Sequence, residues 1–396
     1  MERLPFPAQD RTMKMIHAKL FPMDGPMIPD GYLTVQDGKI TGIGPMSDPD
    51  FSLSGEETDA GGASVYPGFI DAHTHLGLWE DGLGFEGEDG NESTDPSTPH
   101  LRALDGINPF DRCFSEAAEA GVTTVLTGPG SANPIGGQMV AMKTREAPLD
   151  DRIVREPCAM KFALGENPKM TYSEKSHTPV TRMATAALIR EQLFLAERYR
   201  RDKQAAADGD GDEPEFDMKC EALLPVLAGD CPVHFHAHRA DDIATAIRIA
   251  EEFALDYVIV HATEGHLIAG WMKEKGARVL AGPLLCDRSK PEMRNLTPAS
   301  AGKMHEAGLP LAIVTDHPVI PVQYLTLCAA LAVREGLDRE AALRAITIEA
   351  AKICGIEDRV GSLTKGKDAD FVLFDGDPLE FSRKPRAVYI DGKQVR

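Results

Sequence analysis

Two histidines one residue apart stand in the stretch PGFIDAHTHLG, residues 67–77. A short apolar run, Phe69 and Ile70, leads into them, which is typical of a buried β-strand. Side chains at positions i and i+2 of a strand point to the same face, so the imidazoles of His73 and His75 can lie side by side. Because imidazole nitrogen is a common metal ligand, the stretch predicts one edge of a metal site. Two surface histidines at a polar strand end would give the same pattern.

An alternation of strand and helix patterns extends from this stretch to residue 358. Such alternation is typical of a parallel α/β fold, and its length suits a (β/α)8 TIM barrel of about 250 residues with insertions. Active sites of these barrels lie at the carboxyl ends of the strands, so we expect the long loop at residues 78–108 to build the pocket. The predicted strands cover residues 69–75, 123–126, 138–142, 158–162, 233–238, 257–261, 278–281 and 311–316.

Both chain ends, residues 1–66 and 359–396, show short strand patterns separated by Gly, Pro and Asp-Gly turn signals. The ends of a closed barrel lie close together, and isolated strands would leave open edges. We therefore expect the two ends to pair into one small β-sandwich domain beside a barrel domain at residues 67–358. Two unrelated β-rich tails are the alternative.

The composition excludes several classes of partner. Lys and Arg total 42 against 62 Asp and Glu, a formal net charge of -20, which argues against nucleic acid or an anionic membrane. The N-terminal segment lacks an apolar core of signal-peptide length, and no segment approaches a membrane span. Seven cysteines without a CxxC pair indicate free thiols, so we expect a cytoplasmic protein. The expected partner is a small-molecule substrate, and a homo-oligomer is left open.

The stretch PGFIDAHTHLG, followed by this α/β alternation, resembles the first-strand signature of the amidohydrolase superfamily, in particular its imidazolonepropionase-related branch. These proteins are (β/α)8-barrel hydrolases that hold one or two metal ions at the carboxyl ends of the strands. The resemblance implies four further residues in a fixed order: a Lys or Glu on strand four, a His on each of strands five and six, and an Asp on strand eight.

Strand four reads CAMKF and contributes Lys161. The resemblance implies that this lysine is carboxylated by CO2, which turns a repelling ammonium into a carbamate whose two oxygens bridge two cations. The alternative is a lysine whose apolar stem is buried while its ammonium reaches the surface or an ionic partner.

Strand five reads PVHFHAHR and offers three alternating histidines, His234, His236 and His238. The resemblance selects His236 as the metal ligand, with His234 deeper in the barrel and His238 nearer the substrate, but the residues alone leave the choice among the three open. Strand six ends in His261 after an apolar run, and Asp316 closes strand eight. Asp316 is expected to bind metal and to act as the catalytic base.

Imidazole, carboxylate and carbamate ligands suit one or two divalent ions; zinc is expected, with Mn2+, Fe2+ or Co2+ as alternatives. The expected metal ligands are His73, His75, Lys161, His236, His261 and Asp316. Besides His238, two arginines are expected to bind substrate: Arg239 and Arg288 each have a guanidinium group that could hold a carboxylate. Salt-bridged surface arginines are the alternative for both.

These features predict a metal-dependent amidohydrolase that cleaves a C–N bond of an amide, a cyclic amide, an Xaa-Pro dipeptide or an N-acyl amino acid through a metal-activated hydroxide. The first rival is a hydrolytic deaminase, because deaminases of the superfamily carry a Glu three residues after the strand-five ligand. That position is Arg239 counted from His236, and Asp241 counted from His238. The second rival is a metal-free scaffold, which would have lost ligands. Imidazolonepropionase itself is disfavoured because it lacks the strand-four lysine bridge.

Overall fold

The computed structural model describes residues 12–48 and 56–396. Residues 1–11 and 49–55 lie outside the described residues. The prediction that the N-terminal segment is not a signal peptide concerns residues 1–11 among others and therefore lies partly outside the described residues. Both gaps also belong to the predicted N-terminal part of the small β domain, residues 1–66. The domain boundaries after residues 66 and 358 stay predictions.

The N-terminal part of the chain forms five strands of one sheet. They are β1 (Met13–Leu20), β2 (Ile28–Gln36), β3 (Lys39–Pro45), β4 (Glu56–Asp59) and β5 (Ser64–Pro67). Strands β2 and β3 form an antiparallel hairpin around Asp37 and Gly38, whose φ angles are 50° and 75°. Two consecutive residues with positive φ make the tight turn that an Asp-Gly pair favours.

Eight further strands form the barrel sheet, and all eight strands predicted from the sequence are present. They are β6 (Phe69–Thr74), β7 (Val122–Thr127), β8 (Ile135–Lys143), β9 (Ile153–Ala163), β10 (Val233–Ala237), β11 (Tyr257–His261), β12 (Arg278–Ala281) and β13 (Leu311–Ile313). Their order in the sheet follows the chain. The first and last strands approach each other, since the backbone N of His75 donates to the carbonyl of His317 over 2.9 Å. The sheet is therefore a nearly closed barrel.

One strand runs against the others. Strand β8 is antiparallel to both β7 and β9, whereas the remaining neighbours are parallel. The connection from β7 to β8 spans only residues 128–134, too few for the helical crossover that a parallel neighbour needs. This hairpin is a local departure from the regular βα alternation expected from the sequence.

Ten α-helices are described, and most lie between consecutive barrel strands. They are α1 (Arg112–Glu119), α2 (Glu166–Ser173), α3 (Arg182–Ala207), α4 (Met218–Ala228), α5 (Ala240–Glu252), α6 (Ala269–Glu274), α7 (Ser300–Glu306), α8 (Leu325–Arg334), α9 (Arg339–Ala345) and α10 (Ile348–Cys354). Several begin at a residue whose side chain accepts a backbone N–H, such as Thr181 before α3 and Asp217 before α4. Within residues 12–48 and 56–396, none of the helices combines the length and the apolar character needed to cross a bilayer.

Three C-terminal strands complete the first sheet. They are β14 (Phe371–Phe374), β15 (Ala387–Ile390) and β16 (Lys393–Gln394), and β14 pairs antiparallel with β5. The two chain ends thus share one eight-stranded sheet with its own apolar cluster, which includes Leu33, Val65 and Phe371. Strand β5 leads directly into β6 through Gly68, so the sheet fixes where the barrel begins.

Candidate metal centre

The first group of site residues comes from the two edges of the barrel sheet. His73 lies in β6, His75 follows one residue later, and Asp316 follows β13. Oδ1 of Asp316 lies 3.5 Å from Nε2 of His73 and 3.3 Å from Nε2 of His75. One ligand atom from each of the three side chains lies within 4.8 Å of the others. We call these three residues the Asp316 cluster.

The second group comes from two adjacent strands, β10 and β11. His236 lies near the end of β10, His238 follows that strand, and His261 ends β11. All three are buried, and their ligand atoms also lie within 4.8 Å of one another. The rings of His238 and His261 stack, with centroids 4.5 Å apart. We call these three residues the three-histidine cluster.

Lys161, from β9, faces members of both clusters. Its Nζ lies 2.9 Å from Nε2 of His73, and the side chain is completely buried. Burial lowers the pKa of Lys161 to about 8, although the carboxylate of Asp316 acts in the opposite direction. The charge of Lys161 in turn helps burial to lower the pKa of both His73 and His236. The lysine is thus placed between the two clusters.

Backbone carbonyls fix the proton on two of the imidazoles. Nδ1 of His75 donates to the carbonyl of Gly128, and Nδ1 of His261 donates to that of Gly282, each over 2.7 Å. A carbonyl can only accept, so Nδ1 of both rings carries a proton and Nε2 is the ring nitrogen that faces the site. Nε2 of His261 has no hydrogen-bond partner among the described residues, and burial lowers the pKa of this ring to about 4. A metal-binding histidine is usually neutral and donates a hydrogen bond from the ring nitrogen that does not bind the metal, as Nδ1 of His261 does here.

Asp316 is ionised in these surroundings. Burial alone raises the pKa of its carboxyl group, but the nearby His261, His75 and Lys161 outweigh burial and hold the pKa at about 2. Imidazole nitrogens with available lone pairs and one carboxylate make a donor set that suits a divalent cation. The side chains present therefore fit the metal that the sequence predicts.

Two of the site residues have uncommon backbone conformations. His261 has a φ angle of 75° and Asp316 one of 57°, although neither is a glycine. Such left-handed conformations cost roughly 1–3 kcal/mol each and persist where the surrounding structure holds them, often at functional sites. Both occur where a barrel strand ends, which is where the two clusters form.

His234, the third histidine of β10, lies outside both clusters. It is fully buried, and neither ring nitrogen has a hydrogen-bond partner among the described residues. Burial, together with the charges of Arg278 and Lys161, lowers its pKa to about 3, so the ring is neutral. The structure thus brings His236 and His238 to the candidate metal centre and leaves His234 apart from it.

A cavity of about 470 Å³ opens onto both clusters. Loops after β6, β7, β9, β12 and β13 build its walls, so residues from many parts of the barrel meet there. Its lining comprises His75, Trp79, Asn91, Gly130, Ser131, Asn167, His236, His238, Pro283, Cys286, Asp287, Ser289, Lys290, Met293, Asp316, Pro318 and Val319. We call it the site cavity.

Neither predicted substrate-binding arginine lines the site cavity. The guanidinium group of Arg239 donates two hydrogen bonds to Asp241, over 2.9 and 2.8 Å, and that of Arg288 donates to the carbonyl of Leu296 over 2.7 and 3.1 Å. Both guanidinium groups thus already have acceptors within the protein, and the role of either arginine in binding substrate stays a prediction. His238 does line the site cavity.

Lys290 is the cationic side chain that reaches the site cavity instead. It lies two residues beyond Arg288 in the same stretch, CDRSKPE. Asn167, in the first turn of α2, and Ser131, in the loop after β7, also line the cavity. The sequence marks these two Gly- and Pro-containing stretches only by their composition, because the contacts that select individual residues come from distant parts of the chain.

Comparison with known proteins agrees with this architecture. Residues 64–395 match the amidohydrolase family. A crystal structure of an amidohydrolase from Thermotoga maritima MSB8 superposes with a TM-score of 0.92 at 43% identity, covering 97% of this chain and 99% of that one. Amidohydrolase tasK from Hapsidospora irregularis is 32% identical over 84% of this chain, which spans only 36% of that protein.

A second relative matches over nearly its whole length. The imidazolonepropionase of Solibacter usitatus is 25% identical over 93% of this chain and 91% of its own. The match to the family covers most of the chain, and the near-complete likeness to the Thermotoga protein agrees with it. The chain belongs to the amidohydrolase family of hydrolytic enzymes.

Proposed function

We propose that this protein is a metal-dependent amidohydrolase that cleaves the C–N bond of an amide, a cyclic amide, an Xaa-Pro dipeptide or an N-acyl amino acid. The observation that carries the proposal is the meeting of two ligand clusters around one buried lysine, Lys161, at the carboxyl ends of the barrel strands. The name of the imidazolonepropionase relative, which points to a cyclic amide-type substrate, supports the choice of bond.

The residues that would hold the cations are His73, His75, Lys161, His236, His261 and Asp316, with zinc as the expected metal. When bound, a divalent cation lowers the pKa of water and polarises a carbonyl group. Lys161 would join the ligand set as a carbamate: its neutral amine adds to CO2, forms an N–C bond and releases one proton. Burial favours the neutral amine that this reaction needs, because it lowers the pKa of Lys161 to about 8.

Asp316 carries the proton transfer in this proposal. Its carboxylate, ionised and within 3.3 Å of His75, accepts a proton from the attacking water as the new C–O bond forms. It returns that proton to the leaving nitrogen as the C–N bond breaks, so the products are a carboxylic acid and an amine. His238 lines the site cavity and donates to the substrate carbonyl oxygen.

Nδ1 of His238 lies 2.7 Å from Oγ1 of Thr263, which orients the ring. If His238 is neutral and its Nδ1 accepts from the Thr263 hydroxyl, Nε2 carries the proton that the substrate carbonyl needs. Burial lowers the pKa of this ring well below its usual value, in agreement with a neutral donor.

The experiment is a side-by-side screen of the zinc-reconstituted protein against N-acyl amino acids, Xaa-Pro dipeptides, cyclic amides and aminated heterocycles. We expect cleavage of at least one amide class, loss of activity after chelation and its return with metal. Asp316→Asn is the matched inactive control. Ammonia release from the heterocycles without amide cleavage would replace this proposal with the deaminase, and the metal-free scaffold would be supported by full inactivity together with no metal binding.

We also propose a small-molecule substrate and a cytoplasmic location. The site cavity has the volume of a small ligand, about 470 Å³. All seven cysteines are free thiols, and six of them are buried, as suits a reducing compartment. Fractionation of the source cells would test the location.

A further inference from the structure

Lys290 is the cation of the site cavity. Of the residues that line it, Lys290 is the sole lysine or arginine, and its side chain is half-buried. Within the described part of the chain, no carboxylate lies within ion-pairing distance of Nζ of Lys290, although most other half-buried cations have such a partner. Asp287, the other charged lining residue outside the two clusters, is exposed at the rim. The ammonium of Lys290 therefore lines the cavity without an ion pair, although its charge partly offsets the burial that raises the pKa of Glu292.

One hydrogen bond holds this ammonium in place. Nζ of Lys290 donates to Oδ1 of Asn167 over 2.6 Å. The amide nitrogen of Asn167 donates to Oγ of Ser131 over 2.8 Å and lies 3.4 Å from Nε2 of His236. Asn167 thus touches both the cavity cation and a member of the three-histidine cluster, so Lys290 lies one side chain away from the candidate metal centre.

Two hydrogen bonds join the first turn of α2, which carries Asn167, to the segment after β12 that carries Lys290. The backbone N of Glu166 donates to Oε2 of Glu292 over 2.9 Å, and that of Glu292 donates to Oε2 of Glu166 over 3.3 Å. Gly165 permits this contact, because a Cβ at that position would lie 2.8 Å from Oε2 of Glu292. The positive φ of Gly165, 89°, also favours glycine. The reciprocal bonds hold these two segments together and so help to fix the position of the ammonium.

We propose that Lys290, positioned by Asn167, binds a carboxylate of the substrate, so that the preferred substrates are carboxylate-bearing amides such as N-acyl amino acids rather than neutral amides. This inference rests on the proposed amidohydrolase function. An ammonium without an acidic partner, beside the group that would be cleaved, gains a charge-assisted hydrogen bond when a carboxylate enters. A neutral carboxamide of the same shape gains only an ordinary one.

The test compares N-acetyl-L-amino acids with their carboxamides in the zinc-reconstituted wild type, Lys290→Met, Lys290→Arg and Lys303→Met. Lys303 lies exposed on α7, so its variant removes one positive charge without touching the site cavity. We expect the wild type to prefer carboxylates, and Lys290→Met to lose about 10- to 100-fold in kcat/KM for them, mainly through KM. Its activity on carboxamides should fall several times less than its activity on carboxylates, because only an ordinary hydrogen bond is lost. Lys290→Arg should keep part of the preference, and Lys303→Met should match the wild type.

A binding measurement separates this inference from the proposed function. Calorimetric titration with the same compounds, using the Asp316→Asn background to prevent turnover, should show carboxylates binding more tightly than carboxamides and should lose that difference in Lys290→Met. Carboxamides that bind and react as well as carboxylates would overturn the role of Lys290 while amide hydrolysis stands. If no compound is cleaved, the proposed function fails, and the titration alone decides whether Lys290 recognises carboxylates.

Discussion

Nζ of Lys161 lies 2.9 Å from Nε2 of His73, and both side chains are completely buried. An ammonium at this position would repel a cation held by the neighbouring histidines and would pay a large cost for its own burial. A carbamate at the same position reverses the sign of the charge and supplies two oxygens. The contact therefore supports the proposal that Lys161 joins the ligand set as a carbamate.

Lys161→Ala should lower the amount of bound metal and remove most hydrolytic activity, since it removes a proposed metal ligand. Short carboxylic acids such as propionate should restore part of the activity by occupying the space of the carbamate. Metal analysis and kinetics check these outcomes, and 13C NMR after equilibration with 13CO2 should show the Lys161 carbamate signal in the wild type and in Lys303→Ala but not in Lys161→Ala. Lys303→Ala is the matched control. A free amine in a fully active protein that holds two metal ions would contradict the carbamate.

Asp316→Asn should keep the fold and lower kcat by about 100- to 10,000-fold, because an amide cannot accept the proton of the attacking water. KM should change less than kcat, since Asp316 acts on the reacting atoms. Steady-state kinetics with circular dichroism on the same samples check both statements. Turnover by the variant within threefold of the wild type would remove Asp316 from the role of base.

His234→Leu and His236→Leu separate the histidines of β10. His234 has two ring nitrogens without partners in the described structure, so an apolar side chain of similar size should leave stability unchanged or raise it by up to about 1–3 kcal/mol. Its metal content should equal that of the wild type. His236→Leu should lose at least one metal ion. Urea denaturation and metal analysis are the measurements, and the opposite pattern of metal loss would make His234 the ligand.

Lys143→Met tests the junction between the barrel and the C-terminal strands. The lysine ends β8 and lies 2.9 Å from Asp368, with Asp370 as a further partner and only 2% of its side chain exposed. Removing it leaves buried carboxylates without their cation, which should cost about 3–5 kcal/mol of unfolding free energy in urea. Lys39→Met, which removes a half-exposed lysine from the same Asp368, should cost less than about 1 kcal/mol. Equal losses for the two variants would contradict this ranking.

The contribution of Asp368 should depend on pH. Burial raises the pKa of this carboxyl group, but Lys143, Lys39 and Arg359 outweigh burial and leave the pKa below its ordinary value of 3.8. A carboxyl group with a lowered pKa in the folded state stabilises the protein above pH 3.8, and the benefit is lost as the pH falls through the folded-state pKa. The difference in unfolding free energy between the wild type and Asp368→Asn should therefore be constant near neutral pH and shrink in acid. A difference that grows in acid would show the opposite sign.

The sequence was sufficient to predict the barrel strands. The histidines and the aspartate predicted as metal ligands come together in the two clusters, and their binding of metal stays a prediction. Buried strands appear as short apolar runs bounded by turn residues, and functional side chains such as His261 stand where such a run ends. Strand β9 begins at Ile153, five residues before the predicted start at residue 158. The prediction missed the first half of the strand because charged residues such as Arg155 and Glu156 interrupt its apolar pattern.

Other features depend on contacts that sequence patterns do not contain. Strand β8 is antiparallel to β7 because the connection between them is too short for a helical crossover. The length of that connection is known only after the ends of both strands are known. Lys290 reaches the site cavity, whereas the guanidinium group of Arg288 donates to the carbonyl of Leu296. Arg288 and Lys290 are both cationic residues of the same polar stretch, so the sequence alone does not indicate which of them reaches the cavity.

The most direct test of the central claim is anomalous diffraction from crystals of the zinc-reconstituted protein, combined with metal analysis of the same preparation. The account predicts zinc peaks at the carboxyl ends of the barrel strands, about 2.0–2.2 Å from ring nitrogens of both clusters. It also predicts that chelation removes metal and activity together. A fully active preparation with less than about half an equivalent of any transition metal, or zinc peaks away from both clusters, would contradict it.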